Sequence, residues 1–369
     1  MHFRKEIIFW EVNFIYTGFL VYRYHGWATV IFMMGYTCNW QCYILCIIGV
    51  MFTNCDIKKE ALGADNEVRV ICSSDDEDVI KGFLSTIFVD TIFTPEPEPV
   101  HKLKIFPPES YNDLKRQAYV VVGAVGKDVS NSGVRLMKKL LSSDNFQSMK
   151  TNDPVFLLRD LYATNQSFLI INARDKYQLS AVSPLKKKMI HDQYEKQFRS
   201  RQSKYLFGSH RREDIEEKFS EEYGWSMKIP WGWEVIRNSA DSNFVWLGRE
   251  FPFQWIAIHW QNGNAINDEL TIGENVWNFP KTHYSNIRFH DYKFSIEKIN
   301  FNSYKAWLCT GMWESSDDIT AQGGPFRHYI FYDANKNMTF HINTLLYHPG
   351  KDKSIFLRQL ELIAKSFSI

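Results

Sequence analysis

The chain has 369 residues, of which 45% are hydrophobic and 23% are charged. This length exceeds what a single hydrophobic core usually serves, which favours two domains, and the composition excludes a disordered, collagen-like or disulfide-scaffold protein. Lys and Arg total 43 against 42 Asp and Glu, so the net charge of +1 provides no overall attraction for nucleic acid. We therefore expect no nucleic-acid partner.

The N-terminal segment 1–55 differs from the rest of the chain in charge. Residues 24–55 contain no Asp, Glu, Lys or Arg and are numerous enough to cross a hydrocarbon layer of about 30 Å. Two membrane interpretations remain open: an uncleaved anchor helix over residues 27–52, or a signal peptide whose apolar run at 43–52 leads to a cleavage site. A third is a buried N-terminus or a mis-assigned start. In both membrane interpretations Arg23 lies on the cytoplasmic side and the remainder is exported.

The signal-peptide interpretation has a specific cleavage candidate. The sequence FTNC at 52–55 resembles a bacterial lipobox, in which the cysteine becomes the lipidated N-terminus, although Asn54 replaces the usual Gly or Ala. We therefore predict lipidation at Cys55, followed by a polar tether over 56–66. Cys72 and Cys309 remain in the body, where they are either two free buried thiols or, in an oxidising envelope, a disulfide pair.

Strand-like and helix-like segments alternate over residues 67–224, which is typical of an α/β layer. We predict helices at 74–88, at 184–207 and from 209 to Tyr223, where Gly224 occupies the position that ends a helix. The predicted strands lie at 68–72, 101–106, 119–125 and 167–173.

From Trp225 the pattern changes to short strands with alternating aromatic residues, up to residue 347. The last stretch, 353–367, has apolar residues at helical spacing and is predicted to lie over the preceding sheet. The fold class is therefore α+β. An N-terminal α/β layer domain with long helices (67–224) precedes a mostly antiparallel sheet domain closed by a C-terminal helix (225–369).

Motifs that carry known chemistry are absent from the sequence. There is no phosphate-binding loop, dinucleotide fingerprint or hydrolase elbow. His283 and His290, like His341 and His348, lie seven residues apart, which suits neither one helix turn nor one strand face. We expect no metal or other cofactor, and structural or surface roles for the histidines.

A basic series runs from Lys186 to Arg212, and an acidic series follows it directly. This pattern is typical of a solvated helical surface. The alternative is contact between Lys186–Lys188 and anionic lipid.

The stretch 311–326 is the most informative candidate site. A strand ends at Trp313 and Glu314, an acidic turn follows, and a Gly-Gly-Pro run precedes the next strand. Carboxylates beside a tryptophan and two glycines predict a ligand loop, whereas the alternative is an ordered hairpin connection. The predicted ligand-loop residues are Trp313, Glu314, Asp317, Asp318, Gly323, Gly324, Pro325 and Phe326. No residue is assigned as catalytic.

Several short segments of the C-terminal half occur in the order seen in a known family. They are IPWGW at 229–233, NFVWL at 243–247, GMW at 311–313, GGPF at 323–326, PGK at 349–351 and LRQLE at 357–361. This set resembles the uncharacterised Bacteroidota lipoprotein family of domain of unknown function four-eight-three-seven, most strongly from Trp225 onward. The resemblance implies an exported lipoprotein, in keeping with Cys55, and supplies no activity or catalytic residues.

These observations predict a membrane-tethered lipoprotein of the bacterial cell envelope, held by lipid or by an anchor helix and facing the periplasm or outer membrane. Its function is predicted to be non-enzymatic binding or assembly, with an envelope protein or glycan as partner. The alternative is an envelope hydrolase that uses Glu314 with Asp317 or Asp318 as paired carboxylates.

Overall fold

The structure, a computed structural model, describes residues 20–24, 27–32, 58–94, 96–208, 210–266, 268–316 and 322–369. The chain divides into two compact units, Met1–Ile57 and Lys58–Ile369. In the first unit, strands β1 (Leu20–Tyr24) and β2 (Trp27–Phe32) pair antiparallel.

The predicted lipidation site Cys55 lies outside the described residues, as does most of the predicted anchor. Within the part of the chain that the structure describes, no helix is both long and apolar enough to cross a membrane.

The N-terminal half of the second unit is built on a five-stranded sheet with strand order β6-β3-β7-β9-β8. The strands are β3 (Glu67–Ile71), β6 (Lys102–Phe106), β7 (Tyr119–Val125), β8 (Val155–Arg159) and β9 (Ser167–Ala173). Strand β8 runs antiparallel to β9, and the other pairs are parallel. A short hairpin of β4 (Thr91–Phe93) and β5 (Pro97–Pro99) stands apart from this sheet.

Helices cover both faces of the five-stranded sheet, which confirms the predicted α/β layer. They are α1 (Glu77–Ser85), α2 (Tyr111–Leu114), α3 (Ser132–Leu140), α4 (Ser143–Thr151), α5 (Lys176–Ser180) and α6 (Pro184–Phe207). Four of them begin after a side chain that accepts a first-turn N–H, namely Asn131, Ser142, Asp175 and Ser183. The next helix, α7 (Glu213–Tyr223), belongs to the core of the seven-stranded sheet described below. Gly224 ends α7 with φ of +71°, as predicted.

The C-terminal half is an antiparallel seven-stranded sheet with strand order β10-β11-β12-β16-β15-β14-β13. The strands are β10 (Glu234–Ser239), β11 (Phe244–Arg249), β12 (Phe253–Asn262), β13 (Ile287–Phe301), β14 (Tyr304–Ser315), β15 (Gly323–Asp333) and β16 (Met338–Tyr347). The predicted series of strands was expected to begin at Trp225, but the residues directly after it form only an isolated bridge between Ser226 and Ser368.

Helices cover both faces of the seven-stranded sheet. Helix α9 (Ser354–Ala364) packs with α7 against one face, as predicted for the C-terminal helix. Helix α8 (Glu269–His283) packs against the other face, where the sequence analysis predicted no helix. The fold class is α+β, as predicted from the sequence.

The hairpin of β4 and β5 connects the two halves of the second unit. One carboxylate oxygen of Glu98 accepts hydrogen bonds from the backbone N–H of Lys353 at 2.6 Å and of Ser354 at 3.2 Å. Glu98 thereby caps α9, whose own flanking residue Lys353 supplies no capping side chain. The division at residue 224 stays a prediction.

Candidate functional site

The predicted ligand loop contributes mainly to the core of the seven-stranded sheet. Trp313 is 2% exposed, and its indole N–H donates a hydrogen bond to the backbone oxygen of Leu346 at 3.1 Å. Phe326 is also buried and stacks on Phe289, with ring centroids 3.9 Å apart. Both rings therefore pack internally.

The glycines of this loop serve close strand packing. A Cβ on Gly324 would come within 2.0 Å of the Leu346 oxygen, and one on Gly323 within 2.9 Å of the Trp313 oxygen. Both glycines and Pro325 lie in β15, opposite the end of β14. The close approach of neighbouring strands therefore explains why positions 323 and 324 are both glycine.

The carboxylates of the loop are only partly described. Glu314 pairs with Arg288 across β13 and β14, with Nε and Oε1 2.8 Å apart on a partly exposed surface. Asp317 and Asp318 lie outside the described residues. The paired-carboxylate arrangement therefore stays a prediction.

An open groove of about 740 Å³ lies where β10, β11 and β12 meet the end of α6. Its residues come from separate segments of the chain, and the sequence pattern did not predict it. Five aromatic side chains line it: Tyr205, Trp231, Phe251, Phe253 and Trp255. We call this surface the aromatic groove.

Three rings of the aromatic groove are largely exposed to solvent. Tyr205 is 67% exposed, Trp231 is 72% exposed and Phe251 is 85% exposed. Phe251 also has φ of +56°, a left-handed conformation that is rare for bulky residues. Single exposed apolar residues are ordinary on protein surfaces. Several exposed aromatic residues gathered in one place are instead typical of a binding site.

The floor of the groove depends on a glycine. A Cβ on Gly248 would come within 2.5 Å of the Trp255 ring and 2.7 Å of the Ile236 side chain. Ile236 is the extra residue of a bulge in β10, because Val235 pairs with Leu247 and Arg237 with Trp246. The missing side chain at Gly248 thus makes room for Trp255 and Ile236.

Charged groups surround these rings. Glu234, Arg249 and Glu250 all line the groove. The Nε atom of Arg249 is buried and has no hydrogen-bond partner among the described residues. A ligand in the groove therefore meets aromatic faces together with hydrogen-bond donors and acceptors.

A second feature that the sequence analysis missed is a cluster of four histidines between the sheet and α8, which we call the histidine cluster. His259, His328 and His341 come from β12, β15 and β16, and His283 comes from the last turn of α8. Ring centroids are 4.5 Å apart for His259 and His283, and 5.4 Å apart for both His259–His341 and His328–His341. The antiparallel register that places His259 opposite His341 brings them together.

Hydrogen bonds determine the tautomers of two of these rings. The Asn343 amide nitrogen donates to the backbone oxygen of Arg327 and to Nδ1 of His328, while Asn343 Oδ1 accepts from the Tyr284 hydroxyl at 2.8 Å. His328 therefore carries its proton on Nε2 and donates it to Nδ1 of His341 at 3.1 Å. Because Nδ1 of His341 accepts this bond, the single N–H proton of the neutral ring lies on Nε2. That nitrogen is buried without a partner among the described residues.

Burial holds the imidazoles of this cluster neutral. It lowers the pKa of His259 to about 4 and the pKa values of His283 and His328 to about 3. The pKa of His341 also lies well below its ordinary value, chiefly through burial and then through the neighbouring histidines. Among the described residues, no three His, Cys, Asp or Glu side chains are placed to hold a metal ion.

The two thiols of the body lie in different cores. Cys72 and Cys309 are both free and buried. Cys309 lies in the core beneath α8, opposite His328 in the strand register, whereas Cys72 lies in the core of the five-stranded sheet. Burial raises the pKa of each thiol to about 12.

The fold and these sites define an α+β protein with an open aromatic groove on an antiparallel sheet. Residues 212–366 match a family model described as "Domain of unknown function (DUF4837)". The match confirms the family resemblance carried by the motifs after Trp225. The matched segment contains all four residues of the histidine cluster and every residue that lines the groove except those of α6.

Comparisons with individual proteins add little. No curated protein matches the chain. Eight chains of solved structures match, among them the yeast Ran-binding protein Mog1p from Saccharomyces cerevisiae (10% identity, 40% of this chain and 92% of that chain, TM-score 0.30). A point mutant of protein Mog1 (9%, 40% and 93%, TM-score 0.29) and a structure from Bacteroides thetaiotaomicron VPI-5482 (12%, 39% and 44%, TM-score 0.24) also match.

Proposed function

We propose that this protein is a non-enzymatic binding component of the bacterial cell envelope, and that its aromatic groove binds a glycan. The lipobox-like sequence ending at Cys55 and the uncharged stretch before it support membrane tethering. The family resemblance supports an exported lipoprotein.

The observation that carries the binding proposal is the exposure of Tyr205, Trp231 and Phe251 around one groove. Sugar rings present flat C–H faces that stack on aromatic rings, whose faces are negative, while their hydroxyls need hydrogen-bond partners. Aromatic residues outnumber aliphatic ones in the lining, and carboxylates and a guanidinium lie beside them. This combination of flat apolar faces and polar groups favours a glycan chain over a purely apolar ligand.

The binding proposal is tested by titrating the purified full chain with soluble cell-wall polysaccharide and peptidoglycan fragments, following tryptophan fluorescence and calorimetry. Trp231→Ala is expected to weaken binding about tenfold or more, since exposed aromatic anchors dominate such sites. Tyr177→Ala is the matched control, because Tyr177 is also an exposed aromatic residue, 71% exposed, on α5 and outside the groove lining. It is expected to leave binding unchanged.

Two results would overturn the glycan assignment. One is the absence of binding to any of these fragments. The other is equal affinity for wild type and the Trp231→Ala variant. If the groove instead captured an extended peptide, the protein would keep a binding role, but its ligand would be a peptide and not a glycan.

Membrane tethering is tested separately by the intact mass of protein extracted from membranes, compared with a Cys55→Ala variant. A mature chain that begins at Cys55 with added acyl mass is the expected result. An unprocessed chain in both samples would contradict lipidation.

A further inference from the structure

The C-terminal end of helix α8 packs on the histidine cluster and the aromatic residues around it. His283 of α8 stacks on Phe244 with ring centroids 4.6 Å apart and lies 4.5 Å from His259. Phe279, one turn earlier, contacts His328 at 4.6 Å and His341 at 6.0 Å. The end of α8 therefore packs directly on imidazole rings.

Among the residues that the structure describes, the groups around the cluster offer no compensation for a positive charge. On β10, Arg237 lies near the cluster, with its guanidinium 4.3 Å from the Phe244 ring centroid, and its charge opposes protonation of His283. On β14, the Cys309 thiol faces His328 and is neutral. After α8, the Tyr284 hydroxyl donates to Asn343 and is neutral because burial raises its pKa. The four rings also oppose one another's protonation.

Protonation of these rings thus creates buried, mutually repelling charges beneath α8. Such charges are tolerated only when water reaches them or when a counter-ion is present. Because α8 is a single helix laid over this face, its departure hydrates all four rings at once.

We propose that α8 is an acid-released latch, in which protonation of His259, His283, His328 and His341 detaches the helix from the sheet and exposes Cys309. The released state binds up to four more protons than the closed state. Its opening constant therefore rises as the pH falls below the ordinary imidazole pKa of about 6.5, and by about tenfold per pH unit for each imidazole involved. The rise levels off below the lowered pKa values, near pH 3 to 4.

The two buried thiols provide a readout within one chain. The full protein is labelled with a thiol reagent that remains active in acid, 4,4′-dithiodipyridine, between pH 7 and about pH 4.5, and modification is followed at each cysteine by peptide mass spectrometry. The latch predicts that the accessibility of Cys309 rises steeply with acid while Cys72 stays protected. A chain in which both thiols open together, or in which Cys309 stays protected while the fold persists, would overturn the proposal.

The double variant His259→Phe with His283→Phe tests the role of the cluster directly. These two rings make aromatic contacts, whereas His328 and His341 are tied into the hydrogen-bonded network. Removing them halves the number of titrating rings, so the slope of the logarithm of Cys309 accessibility against pH is expected to fall by about half. His210→Asn, at an exposed histidine with φ of +61°, is the control and keeps the wild-type slope. An unchanged slope in the double variant would refute the latch.

Discussion

Arg358 of α9 donates two hydrogen bonds from one guanidinium nitrogen to the carboxylate of Glu195 on α6, each 2.8 Å long. The guanidinium also lies over the Phe198 ring, 3.2 Å from its centroid. Both charged side chains are largely buried between the two helices. This ion pair joins the helix that covers the seven-stranded sheet to the longest helix beside the five-stranded sheet.

Replacing Glu195 with Gln is expected to lower the free energy of unfolding by about 3 kcal/mol, because the Arg358 charge would remain buried without its counter-ion. Urea denaturation of the full chain measures this loss. Glu213→Gln is the control, since the Glu213 side chain is mostly exposed and its pair with Arg211 is worth less than about 1 kcal/mol. Equal losses in the two variants would show that the Arg358–Glu195 pair contributes no more than a surface contact.

The contribution of the Glu361 carboxylate to the free energy of unfolding is expected to depend on pH. Burial alone would raise its pKa, but the charges of Arg327 and Lys365 outweigh burial and hold the pKa at about 2. A carboxyl pKa below its ordinary value of 4.5 stabilises the fold above that pH, and the contribution is lost as the pH falls from 4.5 towards 2. Wild type is expected to exceed Glu361→Gln by about 3 kcal/mol at neutral pH, and by progressively less in acid.

Thermal unfolding of wild type and Glu361→Gln across this pH range measures the difference. Comparing the two proteins at each pH removes the contribution of the histidine cluster, which both contain. A gap in Tm that stays constant from pH 6 down to about pH 2.5 would contradict the lowered pKa.

Gly248→Ala is expected to disturb the floor of the aromatic groove. The new Cβ would lie 2.5 Å from the Trp255 ring, so Trp255 must move, at a cost of about 1 to 3 kcal/mol in stability. We also expect weaker glycan binding in the fluorescence titration. Gly82→Ala is the control, because Gly82 lies within α1 with open space around it, and alanine there should stabilise the helix by up to about 1 kcal/mol. Full affinity in Gly248→Ala would exclude Trp255 from the ligand contact.

Removing the hydroxyl group from each of two buried tyrosines is expected to change the free energy of unfolding in opposite directions. The Tyr194 hydroxyl is buried without a hydrogen-bond partner among the described residues, so Tyr194→Phe is expected to be neutral or stabilising by up to about 1 kcal/mol. Tyr284→Phe leaves Asn343 Oδ1 without its donor and should cost about 1 to 3 kcal/mol. Chemical denaturation measures both, and a large loss in Tyr194→Phe would show that its hydroxyl is satisfied in solution.

Local signals predicted much of the fold. The apolar run YVVVGAV is a strand buried over six of its seven residues, as expected for a central strand of a mainly parallel sheet. Helix α8 was missed because Gly273 and Pro280 interrupt its pattern, although Asp268 caps its first turn by accepting from the N–H of Thr271 at 2.8 Å. That cap was the signal that could have identified the helix.

The sites were harder to predict because both depend on strand register. The spacing of the histidines along the chain does not predict their cluster, because its four members come from three strands and one helix. Trp231 and Phe251 lie on separate loops, and the pairing of β10, β11 and β12 places them at one groove. A register between strands is a tertiary property that no local periodicity contains.

The capping of α9 by Glu98 makes the completion of the last helix a long-range event. The two partners are separated by 255 residues, so the first-turn N–H groups of α9 gain this acceptor only after the β4–β5 hairpin has reached them. Contacts of such separation slow folding and join distant elements into one cooperative transition. The segment 212–366, produced by itself, would start this helix with those N–H groups facing water.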